Sequence, residues 1–246
     1  MTFEVCLQSP DDAVAARAGG ATRVELCAAL AEGGITPSRA AIAVCRDAVD
    51  IDVMVMIRPR GGDFDYTARE LDTMAADVRY CRRTGVTGVV FGVLDPDGTV
   101  ARTQVQNLVD EAGPDLSVTF HRAFDVCADP FAALDTLMDL GVDRVLSSGQ
   151  AATVPAGREL LRRLVDHAAG RIGILPGCGI TPENVAGLVR YLGVDEFHAT
   201  AFASQPSRMT HRNPAVYMGT PGLPEYERLV TSAAEVRRFL TALARG

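Results

Sequence analysis

The stretch GVDRVL at residues 141–146 has three near copies in the chain: GATRVE at 20–25, GVTGVV at 85–90 and GVDEFH at 193–198. In each copy, a glycine that can end a helix in the left-handed conformation comes just before a short apolar run. The copies begin every second strand of the pattern, so the chain divides into four doubled strand–helix units. Four such units predict an α/β fold, a single-domain TIM (β/α)8 barrel.

Short apolar runs mark the expected barrel strands, at residues 3–7, 22–27, 53–58, 88–93, 117–121, 143–148, 171–177 and 196–199. Segments with helical spacing lie between them, among them 10–18, 38–48, 68–84 and 130–140. We expect one domain over residues 1–246. Residues 204–230 are rich in Pro, Gly and Arg, and they predict a long loop over the carboxyl-end face of the barrel. A last helix, at about residues 231–244, would close the barrel.

Composition narrows the class of protein. Hydrophobic residues make up 48% and charged residues 22% of the chain, which excludes a disordered protein. The net charge of −7 argues against nucleic-acid binding, and no apolar run is long enough to span a membrane. Residues 1–12 lack the features of a signal peptide, and the six cysteines have no metal-motif spacing. We therefore expect a cytoplasmic protein with reduced thiols.

Alternation along the strands predicts an unusually polar barrel interior. The side chains expected to point inward are Glu4, Cys6, Arg23, Glu25, Cys27, Met54, Met56, Arg58, Thr119, His121, Glu196 and His198. Glu25 and Arg58 lie on adjacent strands and could form a buried ion pair. Two interpretations stay open for that pair: a structural ion pair, or part of a functional site.

Polar residues also gather where the strands end, which is where barrel enzymes carry their catalytic groups. The candidate catalytic residues are Glu25, Asp63, His121 and Asp125. The candidate ligand-binding residues are Arg58, Arg60, Arg122, Ser147, Ser148, Gly177, Gly179, Arg208 and Arg212. The glycine turn at 177–179, with Thr181 expected to cap the next helix, suits a small anionic ligand.

Several longer strings resemble one family. ELCAA at 25–29, EGGITPS at 32–38, IRPRGGDF at 57–64, TFHRAFD at 119–125, SSGQ at 147–150 and MTHRN at 209–213 are similar to the CutC family, named for copper homeostasis. The resemblance implies a cytosolic β/α barrel that associates as a homo-oligomer, a dimer or a tetramer. It also implies a role in copper tolerance.

Three functions are compatible with these residues. Cys6 and Cys27 lie at equivalent heights on adjacent strands and could bind Cu(I), which prefers soft sulfur ligands. Alternatively, the protein is an enzyme acting on a small phosphorylated or carboxylated metabolite. In that case Glu25 or Asp63 would be the general acid or base, His121 would move the proton, and the arginines would hold the anion. A non-catalytic scaffold for a protein partner is the third alternative.

Overall fold

The computed structural model describes residues 1–216, 218–219 and 224–245. Eight parallel strands form the barrel: β1 (Thr2–Leu7), β2 (Arg23–Leu26), β3 (Asp52–Met56), β4 (Gly88–Phe91), β5 (Ser117–Phe120), β6 (Arg144–Ser147), β7 (Gly173–Pro176) and β8 (Glu196–Ala199). The helices are α1 (Pro10–Gly19), α2 (Arg39–Ala48), α3 (Ala68–Thr84), α4 (Arg102–Ala112), α5 (Pro130–Asp139), α6 (Val154–Ala168), α7 (Val185–Leu192) and α8 (Ala233–Arg245).

From β1 to β7 each strand pairs with the next one in sequence, and β1 also pairs with β8. The circle closes between β7 and β8 through a single parallel bridge, Gly177 to His198. The glycine of each recurring phrase has a positive φ, for example 73° at Gly85 and 71° at Gly193, and each lies at the end of a helix. The predicted TIM barrel is therefore confirmed.

Side chains along each strand alternate between an outward set, under the helices, and an inward set, inside the barrel. The outward positions, such as Phe3, Val5 and Val24, are fully buried beneath the helices and form the main apolar core. The inward positions include Glu4, Arg23 and Glu25, and these charged groups are also almost completely buried. The barrel thus encloses polar groups, as the alternation of the strands predicts.

The segment at residues 204–230 differs from the predicted long loop. Its two ends lie in an antiparallel ribbon of β9 (Phe202–Pro206) and β10 (Glu227–Thr231). The Thr231 N–H donates to Asp12 Oδ1 (2.7 Å), which fixes the ribbon beside the start of α1. The two strands lie far apart in sequence, and the composition of the segment contains no sign of their pairing. Residues 217 and 220–223 of the predicted loop, and residue 246 of the predicted domain, lie outside the described residues.

No helix in the described ranges has the length and apolar character needed to cross a lipid bilayer.

Candidate functional site

A cavity of about 330 Å³ lies at the carboxyl ends of the strands. Six of the predicted site residues line it: Cys6, Glu25, Arg58, His121, Arg122 and Asp125. The rest of its lining is Leu30, Glu32, Gly33, Met56, Phe64, Val126, Leu146 and His198. The strand ends therefore bring together residues from most of the length of the chain.

Two buried cysteines meet one carboxylate in this part of the barrel. The register of β1 and β2 places Cys6 opposite Glu25, and Cys27 follows two residues later, so the predicted equivalent heights of the two cysteines are wrong. Both Sγ atoms lie 3.3 Å from the same oxygen, Glu25 Oε2. Met54 and Met56 pack against the two cysteines. The ligand atoms of Cys6, Glu25 and Cys27 lie within 4.8 Å of one another, so the three could hold a metal ion.

The two thiols differ in acidity. A hydrogen bond from Cys27 and the nearby His198 cation lower the pKa of Cys6 to about 5, although burial opposes the shift. The same interaction with Cys6, together with burial, raises the pKa of Cys27 well above its usual range. Burial and the charge of Cys6 raise the pKa of Glu25 well above its usual range. Cys6 is therefore the more acidic of the two thiols.

His198 is part of the same cluster. Its Nδ1 lies 2.7 Å from Glu4 Oε1, and its Nε2 lies 3.9 Å from Glu25 Oε2. Burial alone would lower the pKa of His198, but Glu25, Cys6 and Glu4 together raise it well above the usual value. From the sequence, His198 has no obvious partner. The register corrects this, because β8 pairs with β1 and places His198 opposite Glu4.

The buried charges form one network around Arg23. Its Nε donates to Glu4 Oε2 (2.5 Å) and its Nη2 to Glu196 Oε2 (2.7 Å). Arg144 Nε lies 3.5 Å from the same Glu196 oxygen. Burial opposes ionisation of Glu4, but His198 and Arg23 lower the pKa of Glu4 to about 2. This network keeps the interior charges paired.

The predicted ion pair between Glu25 and Arg58 is wrong. Arg58 follows β3 rather than lying within it, and its guanidinium turns to the loops instead. Nη1 donates to the carbonyl oxygens of Glu32 and Gly34 (3.0 Å each), and Nη2 donates to that of Gly62 (2.7 Å). Arg58 thus ties two loops together at the mouth of the barrel.

The Asp125 carboxylate accepts hydrogen bonds from the loop groups that we expected, from the sequence, to bind a ligand. Ser147 Oγ donates to Asp125 Oδ1 (2.6 Å), and the backbone N–H groups of Ser148 and Gln150 donate to the same carboxylate. Arg122 Nε donates to Oδ2 (2.7 Å). The polar groups of Ser147, Ser148 and Arg122 are therefore engaged within the protein.

Replacing Asp125 by asparagine should lower the free energy of unfolding by about 1.5–3 kcal/mol, the usual worth of a hydrogen bond to a charged group. The amide of the new side chain would place its NH₂ against donors, because both oxygens of Asp125 accept hydrogen bonds. Urea unfolding followed by circular dichroism measures the change. Asp63→Asn is the matched control, since Asp63 is 76% exposed and pairs only with Arg60, and its unfolding midpoint should not move. Equal midpoints for the two variants would contradict the structural role of Asp125.

The other predicted site residues do not line the cavity. Arg60 donates to Asp63 and Glu70 at the surface. Arg208 is exposed, and Arg212 stacks over the Tyr226 ring. Both residues belong to the segment of the chain that connects β9 to β10. The two glycines have packing roles, since a Cβ would lie 2.5 Å from Leu146 at Gly177 and 2.6 Å from Thr153 at Gly179.

The loop after β7 also differs from its predicted form. Thr181 does not cap a helix, because α7 begins at Val185. Asn184 closes a turn instead, with Oδ1 accepting from the Thr181 N–H (2.8 Å). The anion site that we expected at this loop therefore lacks its helix cap, because Thr181 lies before α7 begins.

His121 is a buried neutral histidine. Its Nδ1 accepts a hydrogen bond from the Ala123 N–H (3.2 Å), and no hydrogen bond joins it to Asp125 or Glu25, the partners that the sequence suggests. Burial, with the Arg58 cation nearby, lowers the pKa of His121 to about 3. Since Nδ1 accepts, the ring proton lies on Nε2.

The low pKa of His121 predicts how stability changes with pH. Between the pKa of about 3 in the folded protein and that of the unfolded chain, 6.5, the unfolded state binds the proton more readily. Acidification from about pH 7.5 to about pH 5 should therefore cost the wild type about 2 kcal/mol more than a His121→Asn variant. Asparagine keeps an acceptor for the Ala123 N–H but does not titrate. Parallel pH profiles for the two proteins would mean that His121 is charged when folded.

Sequence comparison shows which family the chain belongs to. The CutC family model matches residues 1–203. A CutC family protein of Chromobacterium violaceum is 48% identical over 241 residues, covering 98% of this chain and 97% of the relative. The human copper homeostasis protein cutC homolog is 45% identical, covering 99% of this chain and 89% of its own. A solved structure assigned to CutC from Streptococcus agalactiae superimposes with a TM-score of 0.77 at 32% identity, over 81% of this chain and 98% of that one. The chain therefore belongs to the CutC family.

Proposed function

We propose that this protein serves copper homeostasis by binding one Cu(I) ion between Cys6 and Cys27. The observation that carries the proposal is the position of the two Sγ atoms, both 3.3 Å from one oxygen of Glu25. The two Sγ atoms also lie within 4.8 Å of each other, which is close enough for one ion to bind both. The name of the human relative, a copper homeostasis protein, supports this choice of metal.

The donor set favours Cu(I) over harder ions. Cu(I) prefers thiolate and thioether ligands, and Zn²⁺ sites usually add neutral histidine or carboxylate. The low pKa of Cys6 makes its thiolate available at neutral pH. Met56 lies against the cysteines and lines the same cavity. His198 has a raised pKa and binds Glu4, so its protonated ring is a poor ligand.

The test is an anaerobic titration of the reduced protein with Cu(I) in competition with a colorimetric Cu(I) chelator. We expect one Cu(I) per chain, held against the chelator, and no comparable binding of Zn²⁺. Copper that passes entirely to the chelator would contradict the proposal. Tighter binding of Zn²⁺ than of Cu(I) would also contradict the proposal, because the two sulfur ligands would then not select Cu(I).

We also propose that the protein works in the cytoplasm as a homo-oligomer, a dimer or a tetramer, as its resemblance to the family implies. Light scattering of the purified protein measures its mass in solution. A mass equal to that of one chain, 26.1 kDa, would contradict the oligomer.

A further inference from the structure

Arg58 is a buried cation without an ionic partner in the described ranges. Its side chain lies at the cavity, and the residue is 5% exposed. Its two terminal nitrogens donate to backbone carbonyl oxygens, which are neutral, and no carboxylate oxygen of a described residue lies within 4.0 Å of it. Buried arginines are normally paired, because the desolvated charge is otherwise costly. A negatively charged ligand in the cavity would therefore give Arg58 the ionic partner that it lacks among the described residues.

Two unpaired polar atoms belong to residues around this one cavity. The buried side-chain atoms without a hydrogen-bond partner among the described residues include Glu25 Oε1 and His121 Nε2. Nδ1 of His121 accepts from the Ala123 N–H, so Nε2 is a donor that no described residue uses. The Phe64 ring lies beside both groups, with its centroid 5.0 Å from that of His121 and 5.0 Å from Arg58 Cζ. An unsatisfied buried donor in a native protein needs an explanation, and a small anion held near Arg58 would supply one.

We propose that the cavity also binds a small organic monocarboxylate, with its carboxylate at Arg58 and His121 and its carbon chain against the apolar lining. That lining consists of Leu30, Met56, Phe64, Val126 and Leu146. At about 330 Å³ the cavity is at the small end of the range for ligand sites, roughly 300–1,000 Å³. This site is distinct from the copper pair, because its donors follow β3 and β5 rather than β1 and β2.

The charges around the cavity favour a single negative charge on the ligand over the two of a phosphate group. Arg122 is already paired with Asp125, and His198 is paired with Glu4. Of the cations in the lining, only Arg58 has no carboxylate partner among the described residues. Glu32 also lines the cavity, and its negative charge further disfavours a ligand with two negative charges. The loop amides that would cradle a phosphate, those of Ser148 and Gln150, donate to Asp125. A monocarboxylate matches one cation and one neutral N–H donor.

The test uses two probes, butyrate and benzoate, on the metal-free protein in the presence of a copper chelator. Saturation-transfer NMR detects the bound probe, and titration gives its Kd. His121→Asn is the informative variant, since it removes Nε2 but keeps an acceptor for the Ala123 N–H. We expect it to bind both probes about tenfold more weakly, the usual worth of one hydrogen bond. His167→Asn is the control and should bind as the wild type, because His167 pairs with Asp135 outside the cavity.

Three results would overturn the proposal. One is the absence of binding of either probe to the wild type at millimolar concentrations. A second is equal binding by the wild type and His121→Asn. A third is binding of inorganic phosphate or 1-butanol as tightly as butyrate, since either would show that the carboxylate is not what the site recognises. The Cys6→Ser, Cys27→Ser double variant should still bind the probes, so failure of the copper proposal would leave this result unchanged.

Discussion

Replacing Cys6 and Cys27 together by serine is expected to abolish tight Cu(I) binding while leaving the barrel folded. Serine keeps the size of each side chain and can still donate to Glu25, but it offers no thiolate. Loss of a group that only orients a metal ligand commonly costs about 10–100-fold in affinity, so loss of both sulfurs should weaken Cu(I) binding by more than about 100-fold. The competition titration with a Cu(I) chelator measures this loss directly.

The single variants should differ in a defined order. The pKa of Cys6 is lowered to about 5, whereas that of Cys27 is raised well above its usual range. Cys6 is therefore the thiol that ionises more readily, and Cys6→Ser should weaken Cu(I) binding more than Cys27→Ser. Cys178→Ser is the matched control, because Cys178 lies outside the cluster and donates only to the Ala152 carbonyl (3.2 Å). If the double variant still holds Cu(I) as the wild type does, the cysteine pair is not the copper site.

The proposed copper and carboxylate sites adjoin one cavity, which Cys6, Glu25, Arg58 and His121 line. Its Oε2 accepts from both thiols, and its Oε1 has no partner among the described residues. Its raised pKa keeps the carboxyl group protonated over a wider pH range than an exposed glutamate. A neutral Glu25 does not repel an organic anion. Its protonation therefore removes one source of repulsion between the buried cluster and the proposed carboxylate ligand.

Local pattern was sufficient to predict the barrel. The glycine phrases mark where helices end, and alternation along the strands sorts inward from outward side chains without any knowledge of tertiary contacts. Both signals are local, so they survive in a single sequence. The inward set that they predict, from Glu4 to His198, is buried in the structure with the partial exception of Glu196 at the rim.

The pairing of those inward groups could not be predicted, because it depends on register and on loops. Arg58 lies two residues beyond the end of β3, where loop carbonyls rather than Glu25 meet its guanidinium. Asp125 takes the donors of the 147–150 loop because a 3₁₀ helix at Arg122–Val126 carries it there. Neither arrangement follows from the spacing of residues along the chain. The closeness of Cys6 and Cys27 was easier to predict, since two inward positions on adjacent strands must be close.

Replacing Arg23 by methionine is expected to destabilise the protein by about 3–5 kcal/mol, the usual cost of removing one partner from a buried ion pair. The residue is 5% exposed, and its guanidinium binds both Glu4 and Glu196. Methionine preserves most of the volume, so the expected loss comes from two carboxylates left without their common cation. The low pKa of Glu4, about 2, depends on the same contact and on His198, and it should rise in the variant.

Urea unfolding followed by far-UV circular dichroism and tyrosine fluorescence measures the effect, since the chain has five tyrosines and no tryptophan. Arg17→Met is the control: Arg17 also pairs with an aspartate, Asp50, but both side chains are more than half exposed, where an ion pair contributes little. The wild type should also lose stability as the pH falls from 4.5 towards 2, because the unfolded chain then protonates Glu4 whereas the folded protein keeps it ionised. Arg23→Met should lose less over that range. If both arginine variants unfold at the same urea concentration, the buried network does not hold the barrel interior together. Cys6 and Cys27 lie next to this network through His198 and Glu4. Their positions would then depend on apolar packing alone.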